Sequence, residues 1–146
     1  MIIFYLISVA LFCVMAIYCD AKNNAYIFRQ NDFIAQGKPQ GLVEIQKMYW
    51  KYWRSIMIAV LGFGAAVCML FVFEMAKEPE TITVMIADLF VVYALMRWAT
   101  FDMFLGLIMD GKIDTRGYYF MPFGIRTGLC VVLATFIVGF NLEFYA

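Results

Sequence analysis

Residues 83–110 read TVMIADLFVVYALMRWATFDMFLGLIMD, a run of membrane-crossing length that carries Asp88, Arg97 and Asp102 inside it. A charged side chain near a bilayer centre costs on the order of 2.5–3.5 kcal/mol on insertion scales, so such residues face a protein interior or a wet cavity. On a helix, Asp88 and Asp102 fall within about 40° of each other but about 21 Å apart along the axis, while Arg97 points nearly opposite Asp88. The three cannot form one site within their own helix. Their partners must come from other segments.

Outside this run the composition says the same. Of 146 residues, 65% are apolar and 15% charged, which excludes an ordinary soluble domain. A hydrocarbon core of about 30 Å takes roughly 20 apolar residues as a helix, because every backbone N–H and C=O must be satisfied within the segment. The continuous apolar runs are too long, and lack the alternation, for membrane β-strands. The expected fold is therefore an all-α integral membrane protein, a single domain over residues 1–146 with four transmembrane helices. These are expected at about 2–19, 55–73, 81–109 and 123–140. Formal net charge is zero, and nothing in its distribution points to nucleic acid.

The first run has no basic residue before it and no small-residue cleavage pattern after it, so it reads as a retained helix and not a signal peptide. Residues 20–41 are polar and punctuated by Gly37, Pro39 and Gly41, which predicts a loop holding at most one short helix. From residue 42 the pattern turns helical. Glu44, Lys47, Lys51 and Arg54 recur at steps of three and four, with Leu42, Ile45, Tyr49, Tyr52 and Ile56 roughly opposite. With Tyr49, Trp50, Tyr52 and Trp53 at headgroup level, residues 42–54 read as an interfacial amphipathic helix leading into the second span. A docked partner is the alternative.

Ser55, Ala59, Gly62 and Ala66 give the second span a small-residue face, and Gly124 and Gly128 form a G-x-x-x-G in the fourth. Packing inside the chain and a membrane-protein partner or homo-oligomer explain the face of the second span equally well, whereas packing inside the chain is the first reading of the G-x-x-x-G. Pro79 and Glu80 suit the first turn of the third helix, and Pro122 that of the fourth. Tyr118, Tyr119 and Phe120 read as a second aromatic belt. A turn centred near Asp114 sets Asp102 and Arg126 at one depth on antiparallel helices, which predicts an ion pair. Asp88, Arg97, Asp102 and Arg126 are thus the candidate intramembrane polar cluster. It is either structural, with Arg97 snorkelling to the interface, or a wet or partner-binding site.

Lys22, Arg29, Lys38, Lys47, Lys51 and Arg54 precede the second span, and Lys112 and Arg116 precede the fourth; Lys77 alone lies between the second and third. The positive-inside rule puts the first and third loops in the cytoplasm and both termini outside. The chain has no histidine, and Cys13, Cys19, Cys68 and Cys130 show no C-x-x-C spacing, so no metal or cofactor site is expected and the cysteines read as small apolar residues.

Asp110, Gly111 and Arg116 begin like the signature of membrane CDP-alcohol phosphotransferases. The arginine comes one residue late, however, and Phe123, Gly124 and Arg126 stand where paired aspartates should follow. No catalytic residues are expected. Arg97-Trp98-Ala99-Thr100-Phe101-Asp102, followed by Gly117-Tyr118, resembles a pattern in small polytopic membrane proteins of Bacteroidota and their phages, over about 30 residues. The resemblance implies a bacterial or phage origin, and with it a bacterial cytoplasmic membrane as the location. The expected role is non-catalytic, structural or accessory, recruiting partners in the bilayer. A holin-like permeabilising protein or a small transporter is the alternative.

Overall fold

A computed structural model describes residues 2–113 and 123–140. These form four helices, with no strand among the described residues: α1 Ile2–Ala35, α2 Gln40–Met75, α3 Pro79–Asp110 and α4 Phe123–Phe140. The first three are long and apolar enough to cross a membrane, and the fourth is a shorter apolar helix.

The expected loop at 20–41 is mostly helix, because α1 runs on to Ala35. Burial overrides the polar composition there. Ala21 and Ala25 are fully buried against Leu105 and its neighbours Phe101, Phe104 and Ile108 of α3. The Asn24 side chain also donates to Asp20, at 2.9 Å to both the backbone carbonyl and Oδ1. The true connection is short. Gly37 takes the left-handed conformation (φ 61°), Gln36 N–H and Lys38 N–H bond back to Asp32 and Phe33 at 3.0 Å, and Pro39 precedes α2.

Residues 42–54 are helical, as their charge spacing predicts, but no break separates them from the apolar run beyond; α2 begins at Gln40 and not near residue 55. Pro79 and Glu80 occupy the first turn of α3, and Gly111 (φ 69°) closes its C-terminus. The expected aromatic belt at Tyr118, Tyr119 and Phe120, with Arg116, Gly117 and Pro122, lies outside the described residues.

Helix α1 is the centre of the packing, with α2 along one side and α3 along the other; α4 packs on α3. One core joins Tyr5, Val9, Cys13 and Ile17 of α1 to Cys68 and Val72 of α2 and Met85 of α3. The close approach of α1 and α2 occurs at Gly64, where an added Cβ would lie 2.7 Å from Phe12 Cγ. Gly64, Cys68 and Val72, four apart, form the buried row of α2.

That row leaves Ser55, Ala59, Gly62 and Ala66 on the exposed side, so of the two readings of this small-residue face, packing within the chain does not occur among the described residues. The expected internal packing of Gly124 and Gly128 is likewise corrected. Both are exposed, with nothing within 4 Å of an added Cβ, while Arg126 and Cys130 form the buried face of α4.

Candidate functional site: interhelical charge pairs

Burying a charge is tolerable only when another charge and hydrogen bonds compensate it, so the elements that supply each partner define the site. Arg126 is the largest fully buried side chain, 2% exposed. Its Nη1 lies 2.7 Å from Asp102 Oδ2 and donates to the Trp98 carbonyl at 3.3 Å. The expected α3–α4 pair is present, while the expected turn near Asp114 lies outside the described residues.

Arg97 pairs with Asp20 of α1 and not with Asp102. Its Nε and Nη2 both lie on Asp20 Oδ2 of α1, at 2.9 and 2.8 Å, and its guanidinium sits 4.6 Å from the Phe101 ring centroid. Asp20 is 8% exposed and was absent from the sequence-derived cluster. At the start of a loop, Asp20 would have no fixed partner. The available signal was that a helix continued past Cys19 carries Asp20 on the same stripe as the buried Val9, Cys13, Ala16 and Ile17.

Asp88 is buried, 7% exposed, but apart from both pairs. It borders a small cavity of ≈ 170 Å³ with Tyr5 of α1, Met96 of α3 and Ala134 of α4. The four residues expected as one cluster therefore divide between the Asp102–Arg126 pair, the Asp20–Arg97 pair and Asp88 at another level of the bundle.

The aromatic residues before the second span serve α1 as well as the exterior. Trp50 Nε1 donates to Gln30 Oε1 at 2.8 Å, and Tyr49 stacks on Tyr26 at 5.1 Å. Trp53 meets Tyr18 edge-on at 6.2 Å, with Lys22 Nζ 5.7–5.8 Å from both rings. Tyr52 is the most exposed of the four, at 60%. Arg29 Nη2 donates to the Ile108 carbonyl at 3.3 Å, satisfying an acceptor in the last turn of α3.

All four cysteines are free and buried, and among the described residues no three Cys, Asp or Glu side chains gather as a metal site would require. The arrangement can lock helices in register. No protein-family model, curated protein or solved structure matches the chain.

Proposed function

We propose that this is an integral membrane protein of the structural or accessory kind, whose helices cross the bilayer four times and whose open faces receive a partner or a second copy. The carrying observation is that Asp20–Arg97 and Asp102–Arg126 pair between helices of one chain and so hold those helices in register. A water-lined pore formed on oligomerisation would need charged faces left open.

The spacing of charges supports the membrane placement. Arg54 and Glu74 are about 30 Å apart along α2, and Arg97 lies about 25 Å from Glu80 along α3, close to the thickness of a hydrocarbon core. Asp20, Arg54, Arg97, Asp102 and Arg126 then lie near one membrane surface, with Asp88 deeper. Helices of 34 and 36 residues measure about 51 and 54 Å, so the α1–α2 hairpin extends about 20 Å beyond that surface. Six cations against three anions in residues 20–54 favour the cytoplasm for the hairpin. The small-residue faces of α2 and α4 stay open within the membrane, where close helix approach is possible.

Expression in a bacterium with a potential-sensitive dye separates the readings. An accessory protein leaves the membrane potential at the control level even when abundant. Prompt collapse at modest expression would overturn this reading in favour of a permeabilising protein.

A further inference from the structure

Between α2 and α3, over the face of α1, lies an apolar groove of ≈ 440 Å³, floored by Val9 and Cys13 and walled by Leu61 and Ala65 on one side and Phe90 and Tyr93 on the other. Its size is that of a small-molecule site. One turn of helix with its side chains fills on the order of 500 Å³, so a slot of this size suits a flexible chain better than a helix.

Tyr93 marks one end, and Arg97 stands one turn further on the same face of α3. Tyr93 lies within electrostatic reach of both Asp20 and Arg97. Arg97 gives two of its five N–H donors to Asp20 Oδ2, and its side chain remains 45% exposed. Lys22 and Arg54 lie towards the same end of the helices, in a region with an excess of cations. An apolar slot that ends beside a half-exposed guanidinium at the level of a headgroup matches one ligand in both parts.

We infer that the groove holds an acyl chain of an anionic phospholipid from the leaflet on the hairpin side, with its phosphate on Arg97. This rests on the membrane placement proposed above. The phosphate accepts from the donors that Asp20 leaves open, and the chain lies in the groove.

The test is native mass spectrometry of the full chain in detergent, with phosphatidylglycerol or phosphatidylcholine of identical chains. The expected result is one retained phosphatidylglycerol per protein, favoured at least fivefold over phosphatidylcholine. Ala65→Phe, which fills the groove, should cut retention at least tenfold without changing the melting temperature; Leu61→Trp serves if that variant misfolds. The paired change Asp20→Asn with Arg97→Gln should keep the chain-dependent binding and erase the headgroup preference.

Undiminished retention in both groove-filling variants would overturn the inference, as would equal affinity of the wild type for the two lipids. Dissociation of a dimer by Ala65→Phe would do the same, by making a second copy the occupant. Resistance to alkaline extraction from membranes is read separately. A protein that stays in the membrane but holds no lipid removes the groove assignment alone, whereas one that washes out removes the membrane placement as well.

Discussion

At the scale of single residues, Asp102–Arg126 dominates because Arg126 is almost wholly enclosed. Removing one member of a buried pair strands the other charge and costs about 3–5 kcal/mol, whereas replacing both with apolar groups of similar volume is often neutral. Asp102→Asn and Arg126→Gln should therefore each lower thermal stability strongly in detergent. Asp102→Leu with Arg126→Met should recover most of the loss, and simple additivity would show the two to be uncoupled. Asp20–Arg97 is more exposed on the arginine side, so breaking it should cost less. Gly64 tests packing instead of charge. Gly64→Leu would drive its side chain into Phe12, and overpacking of this kind typically costs about 1–3 kcal/mol. Adding Phe12→Ala should return part of the stability; if it does not, the α1–α2 approach lies elsewhere.

At the scale of elements, the continuation of α1 through residues 20–35 decides how the hairpin is built. Buried Ala21 and Ala25 and the Arg29 contact with α3 tie this segment down, while Gly37 and Lys38 lie in the turn. Hydrogen exchange should accordingly be at least tenfold slower for amides 21–35 than for residues 37–38. Ala25→Pro should cost about 3 kcal/mol or more by breaking the helix; exchange at the turn's rate throughout would restore the loop. The sequence shows the helical class plainly because apolar runs of membrane length admit few alternatives. It shows Asp102–Arg126 because a short connection fixes relative depth. It conceals Asp20–Arg97, which joins residues 77 positions apart, and nothing local sets that register. It also misleads at residues 20–41, where Gly37 and Pro39 mark a tight turn and the polar residues before them belong to a helix held by contacts distant in sequence. The glycines at 124 and 128 show a related limit: spacing identifies a face, while only packing shows which neighbour, if any, covers it.

At the scale of the whole molecule, the uninterrupted α2 makes the position of residues 42–54 testable. If α2 crosses the bilayer steeply, with Arg54 near the surface, Trp53 lies at the headgroups, Trp50 about 5 Å further out and Leu42 about 18 Å out. An amphipathic segment lying along the interface would instead keep all three at one shallow depth. Single-tryptophan variants distinguish the two, with Trp98 and the remaining tryptophans replaced by Phe and the probe at 53, at 50, or at 42 as Leu42→Trp. For the upright hairpin, quenching by headgroup-labelled lipid should fall from 53 to 50 and vanish at 42, where acrylamide should quench freely. Equal lipid quenching at all three positions would mean that α2 bends at the surface and that the aromatic residues are planar anchors. The upright result carries a further consequence: Gln30–Trp50 and Tyr26–Tyr49 would then hold together a helical hairpin standing outside the bilayer, and a soluble partner would meet that hairpin before it met the membrane.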